Sequence, residues 1–163
     1  MTINKDTAAA SAGNFYVGDV AIDENTWYGY RKGVGLFTVP LDGNDHPMNL
    51  VPGSKANANY NITDFAFHPN NGFLYAVTNG STGKLIKIDP STAAHESLGT
   101  VITKDSGSFT FGAQFFDPDG NLYLSNNGDG NVYKVNVDSD DPAAELFSYG
   151  PSSTSNDGAR CAL

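Results

Sequence analysis

The segment Thr63-Asp64-Phe65-Ala66-Phe67-His68-Pro69-Asn70-Asn71-Gly72-Phe73-Leu74-Tyr75-Ala76-Val77 comes back further along the chain as Gly112-Ala113-Gln114-Phe115-Phe116-Asp117-Pro118-Asp119-Gly120-Asn121-Leu122-Tyr123-Leu124. Both copies read as a short apolar strand, a turn built on Pro, Asn or Asp and Gly, and a second strand carrying Leu-Tyr. Each then crosses a Gly-containing turn into a third strand, 83–89 and 130–136, and reaches a fourth that ends at 98–101 and 146–149. A weaker copy precedes them, with strands at 18–23, 26–30, 35–39 and 46–51, and the start of another follows at Gly158. The equivalent positions Gly18, Thr63, Gly112 and Gly158 lie 45, 49 and 46 residues apart. A period in the mid-forties with four strands per unit is the pattern of β-propeller blades.

Composition agrees. The acids are 15 Asp against 3 Glu, and 17 Asn and 18 Gly accompany them. These are turn formers, because they tolerate left-handed backbone angles or bond their own backbone. In the first turn of each copy, Pro presets one backbone angle and the following Gly supplies the positive one. Tyr75 and Tyr123 fall on second strands, where a large ring can fill the space between stacked sheets, so both are expected in equivalent, largely buried positions. The sequence therefore predicts an all-β chain: a flexible lead-in over 1–14, then a partial propeller over 15–163. Its blades cover about 18–53, 63–102 and 112–150, with the next one beginning at 157. Three blades and one strand cannot close a ring, so the expectation is a piece of a larger propeller. The remaining blades, or another chain, would then cover the open sheet faces.

Charge and residue usage narrow the functional classes. The formal net charge is −9 and the pI about 4.4, which argues against a nucleic-acid backbone as partner. No apolar run approaches the length of a membrane span. The single cysteine, Cys161, allows neither an internal disulfide nor a cysteine-based zinc site, and on a first strand it reads as a small buried residue. Residues 1–13 lack the basic start and apolar core of a secretion signal.

The tail 153–162, Ser-Thr-Ser-Asn-Asp-Gly-Ala-Arg-Cys-Ala, resembles a recurring strand of an uncharacterised propeller-like repeat domain found in large secreted and surface proteins of bacteria, adhesin-like giants among them. The middle copy, with Asp64-Phe65-Ala66-Phe67 and Gly72-Phe73-Leu74-Tyr75-Ala76-Val77, is similar to the same family. The resemblance implies an extracellular or cell-surface location and a non-catalytic binding or spacer role, with a protein or carbohydrate as ligand. A second similarity, carried by Asp117-Pro118-Asp119-Gly120-Asn121-Leu122-Tyr123 and Gly130-Asn131-Val132-Tyr133, is to blades of gluconolactonase-like and NHL-type propellers. It implies the alternative of a metal-dependent lactonase-like hydrolase with the rest of its site in missing blades. The three glutamates that such a metal site would draw on, Glu24, Glu96 and Glu145, fall at turns or outer strands.

In a propeller the links into the first strand and between the second and third strands share one face, around the channel mouth. Here those links carry Asp19, Asp64 and Asp157, and Asn79, Asn126 and Asp129. Oxygen-rich groups converging from several blades suit Ca²⁺, a hard ion that takes six to eight oxygens. The competing explanation, the heavier of the two, is that Asp and Asn stand there to form turns. The histidines His46, His68 and His95 sit in different parts of the unit, read as surface residues, and form no Ser/His/Asp set.

Overall fold

The computed structural model describes residues 17–158. They form three four-stranded antiparallel sheets, each a simple meander in sequence order. The first is β1 (Val17–Ala21), β2 (Thr26–Arg31), β3 (Gly35–Pro40) and β4 (Asn49–Leu50). The second is β5 (Ala66–Phe67), β6 (Leu74–Val77), β7 (Thr82–Ile88) and β8 (His95–Thr103). The third is β9 (Phe111–Phe116), β10 (Asn121–Asn126), β11 (Asn131–Asn136) and β12 (Ala144–Tyr149). One helical turn, α1 (Ser54–Asn57), follows β4. The leading strands touch in succession, β1 against β5 and β5 against β9, so the sheets converge along one line at their inner edges. This is the arrangement of a propeller fragment, with the three copies in the order the repeat predicts.

The turn chemistry works as the sequence requires. Gly72 and Gly120 close the Pro-containing turns at φ 73° and 84°, a region that side chains other than Gly rarely adopt. Gly120 is needed twice over, because a Cβ there would stand 2.9 Å from His68 Nε2 of the neighbouring sheet.

Two apolar layers separate the three sheets, and the middle sheet feeds both. On β6, Leu74 and Ala76 join Tyr28, Tyr30, Leu36 and Phe67 in the layer against the first sheet. Tyr75 and Val77 join Phe111, Phe116, Leu122 and Leu124 in the layer against the third. All four residues of β6 are buried, which is the pattern of a strand covered on both faces. The tyrosines of successive second strands each find a phenylalanine on the inner strand of the next sheet. Tyr28 meets Phe67 with ring centroids 4.9 Å apart, and Tyr75 meets Phe116 at 5.6 Å, both edge to face.

Tyr123 departs from the expectation. It occupies the position of Tyr75, but it is half-buried rather than buried, and its neighbours are Phe115 and Phe147 of its own sheet. No described sheet lies beyond it to supply the phenylalanine. Phe147 stands exposed beside it, Leu146 and Tyr149 are exposed elsewhere on β12, and in the first sheet Val20 and, in the turn after β1, Ile22 are exposed too. His68 corrects the expectation of a surface histidine. It is buried, wedged between Tyr75 and Phe116, with Nε2 3.4 Å from Asp138 Oδ2 of the third sheet. The lead-in over 1–14 and Cys161 lie outside the described residues.

Candidate functional site

The inner edges of the sheets carry two tiers of polar groups, and each tier ties one sheet to the next. Asp19 and Asp64 make the first. Asp19 Oδ1 accepts the N–H of Val20 and its Oδ2 accepts the N–H of Phe67 on the second sheet, both at 2.8 Å. Asp64 repeats the device one sheet further on. Its Oδ1 accepts Phe65 N–H at 2.9 Å and its Oδ2 accepts Gln114 N–H of the third sheet at 2.6 Å. Asp64 is 1% exposed. Burial pushes its carboxyl up, the two backbone N–H groups pull it down, and Asp157 and Asp19 add repulsion, leaving it at about 8.

The Gln114 side chain completes the joint. Its Oε1 accepts Val77 N–H at 2.8 Å, and its Nε2 donates to Asp64 O at 3.0 Å and to Val77 O at 3.3 Å. Nothing in the sequence pattern singled out Gln114, since the repeat places Phe65 at the same point of the second copy. Asp157 begins the same motif again, with its Oδ1 accepting Gly158 N–H at 2.9 Å. The three aspartates therefore do lie near one another, and those of the first two sheets are occupied as backbone acceptors between strands.

Asn79 makes the second tier. Its Oδ1 accepts Phe111 N–H at 2.9 Å, and its side chain lies 3.3 Å from Thr63 Oγ1, which donates to Phe111 O at 2.8 Å. Asn126 and Asp129 form a separate cluster in the β10–β11 turn. Asn126, wholly buried, accepts Thr110 N–H and donates to Asp129 Oδ1 at 2.7 Å. Asp129 Oδ2 pairs with Lys104 Nζ at 3.2 Å. Burial pushes the Asp129 carboxyl up, but Asn131 N–H, the Asn126 amide and the Lys104 ammonium outweigh it and hold the group below the usual range. The six residues named from sequence thus fall into two groups, Asp19, Asp64, Asp157 and Asn79 along the inner edges, Asn126 and Asp129 apart from them.

Beside the second tier opens a cleft of about 500 Å³, lined by Val17, Trp27, Thr63, Gly112, Asn127 and Asn156 together with Thr110 and Asp157. Asn127 is the true counterpart of Asn79. Asn79 N–H bonds Asn61 O at 2.8 Å, and Asn127 N–H bonds Thr110 O at 2.9 Å. Counting four residues on from Tyr75 and from Tyr123 reaches Asn79 and Asn127, a signal in the repeat that the choice of Asn126 passed over.

The histidines stand apart from one another. His46 Nδ1 lies 2.8 Å from Pro40 O, and His95 packs edge-on against Tyr60. Among the described residues, no three of His, Cys, Asp and Glu converge as metal ligands.

A family model described as a repeat of unknown function (DUF6923) matches residues 2–163. The chain belongs to that family. The match spans all three sheets, so membership in DUF6923 rests on the whole repeat array and not on one blade. No curated protein matches the chain.

Proposed function

We propose that this DUF6923 chain is a non-catalytic β-propeller segment, a binding or spacer module of a bacterial surface or secreted protein. The observation that carries the reading is the occupation of Asp19, Asp64, Gln114 and Asn79, the polar side chains best placed for chemistry, as fasteners between sheets. A carboxylate whose two oxygens hold backbone N–H groups on two strands serves architecture, and a general base needs an oxygen that faces substrate. Glu24, Glu96 and Glu145 are exposed at a turn and on outer strands, away from the axial cleft, which leaves the lactonase-like alternative with less support.

The outer face of the third sheet is where a partner docks in this reading. Tyr28 and Tyr75 each take a phenylalanine from the next inner strand, so the fitting cover for Tyr123 is a further repeat that brings one. Exposed apolar faces and strand edges otherwise promote association. The test is sedimentation and thermal denaturation of the 163-residue chain beside a longer polypeptide that continues through the next repeat. The shorter chain is expected to associate, or to melt at lower temperature. A monomer that melts cooperatively at the same temperature as the longer protein overturns the docking reading. Turnover of a lactone panel by the purified chain, abolished by chelation, overturns the non-catalytic one.

A further inference from the structure

One carboxylate stands between an amine and a primary amide where the second sheet meets the third. Asp129 Oδ2 lies 3.2 Å from Lys104 Nζ, and Asp129 Oδ1 accepts Asn126 Nδ2 at 2.7 Å. Lys104 directly follows β8, with its backbone N–H bonded to Ser81 O at 2.8 Å, and Asn126 ends β10. The amide is wholly buried, and its Oδ1 accepts Thr110 N–H at 2.9 Å. The Lys104 and Asp129 side chains are 32% and 33% exposed. Beside the amine lies an aromatic wall. Lys104 Nζ is 5.1 Å from the centre of the Phe109 ring, which stacks on Phe111 with Tyr133 edge-on to both. The repeat does not require this trio. At the same points of the second sheet stand Thr78 and Ser81, spaced like Asn126 and Asp129.

We propose that Lys104 and Asn126 join in an intramolecular isopeptide bond, formed by the chain itself with Asp129 as the proton carrier. Each part of such a reaction is present. The Lys104 amine is a nucleophile once it has lost a proton, and Asp129 Oδ2 is placed to take that proton. The nitrogen then attacks Asn126 Cγ, and the charge that develops on Oδ1 meets the Thr110 N–H already bonded there. The Cγ–Nδ2 bond breaks, and Asp129 gives the proton to the departing nitrogen, which already bonds its other oxygen. A charged lysine and a primary amide thus give a secondary amide and one ammonium ion. Asp129 is regenerated, and nothing is oxidised or reduced. Burial of Asn126 keeps water from competing for Cγ. The resting Lys104–Asp129 pair is charged, so the first proton transfer is uphill and the bond forms slowly. The chain reacts once with itself and turns over no outside substrate. The bond would tie the end of the second sheet's outer strand to the end of β10, closing residues 104–126 into a covalent loop.

Intact-mass spectrometry of the 163-residue chain tests this. The expected result is a mass that falls, on incubation at pH 8, to one ammonia below the sequence value. Peptide mapping should then find the segments bearing Lys104 and Asn126 joined, with trypsin unable to cut after Lys104. Lys104→Arg keeps the ion pair but removes the nucleophile, so it should hold the full sequence mass. Asp129→Ala keeps both reacting groups and should slow the loss by about 10²-fold or more. If that variant fails to fold by far-ultraviolet circular dichroism, Lys104→Arg decides alone. Full sequence mass in the aged parent overturns the proposal and leaves the trio as an ion pair and a hydrogen bond only. So does an ammonia loss that persists in Lys104→Arg, the mark of succinimide formation at an Asn-Gly pair such as Asn127-Gly128.

Discussion

Asn79 and Asn127 make the same backbone bond at the same point of consecutive sheets, and from there their surroundings diverge. Around Asn79, Thr63 and Phe111 supply donors, and Asp64 reaches across to Gln114. Around Asn127, the residues at the positions of Thr63 and Asp64 are Gly112 and Ala113. They can give neither a hydroxyl nor a carboxylate to the segment 153–158 that follows. A common backbone thus carries a closed joint on one side of the third sheet and an open, oxygen-lined one on the other. Two side chains decide which.

The contrast can be broken most forcefully at the tyrosines. Tyr75→Ala removes a buried ring packed on Phe116 and His68 and should cost about 3–5 kcal/mol by denaturant unfolding. Tyr123→Ala, at the matching but half-covered position, should cost about 1–2 kcal/mol. Equal losses would show that the two faces of the third sheet are covered alike. Next in size is Asp64→Ala, which leaves the Gln114 and Phe65 N–H groups without acceptors. With each unpaired donor worth about 1–3 kcal/mol, set against relief of a buried carboxyl, the expected net loss is roughly 2–4 kcal/mol. Truncating exposed Asp157 to Ala should change stability by less than about 0.5 kcal/mol.

The pH dependence sharpens the same point. Asp64 is held at about 8 in the folded chain, against about 3.9 when unfolded. Below pH 4 both states carry the proton. As pH rises toward 8 the unfolded chain gives it up first, so the contribution of Asp64 to stability is lost over that window. The parent should therefore lose more than about 1 kcal/mol relative to Asp64→Asn between pH 5 and pH 8. A pH-independent gap between the two proteins would place the Asp64 carboxyl in the ordinary range. Smallest of all, Phe147→Ser on the exposed end of the third sheet should alter unfolding by less than about 0.5 kcal/mol yet shift sedimentation toward monomer. Association that persists unchanged would locate the sticky surface on the first sheet instead.

The sheets were legible because turns and tyrosines are local signals. Pro69 and Pro118, Gly72 and Gly120, Tyr75 and Tyr123 repeat with their strands, and the structure puts each pair on equivalent turns and strands, with only the burial of Tyr123 departing from the pattern. The joints were only half legible. Asp19 and Asp64 stood out as acids at the channel mouth, but their role as acceptors depends on which backbone N–H groups a neighbouring sheet presents, and register between sheets leaves no mark on one strand. Gln114 was invisible for the same reason. His68 looked like a turn residue, and its burial follows from the third sheet closing over it. Asn127 could have been found, since the copies align on it, but Asn126 is the more conspicuous neighbour in a turn rich in Asn, Asp and Gly.

Each copy begins at the axis and ends at the rim: β1, β5 and β9 lie innermost, and β4, β8 and β12 outermost. That order has a mechanical consequence for a chain placed under tension. A pull along the polypeptide enters each sheet at its centre and leaves from its free outer strand, so the strands are peeled away in turn, a few perpendicular hydrogen bonds at a time. Shear, in which a whole strand's bonds resist together, never arises. Asp19 and Asp64 are 45 residues apart, so one released copy lengthens the chain by about 150 Å at roughly 3.4 Å per residue. Pulled from its ends, such a copy is expected to open strand by strand and not at a single threshold.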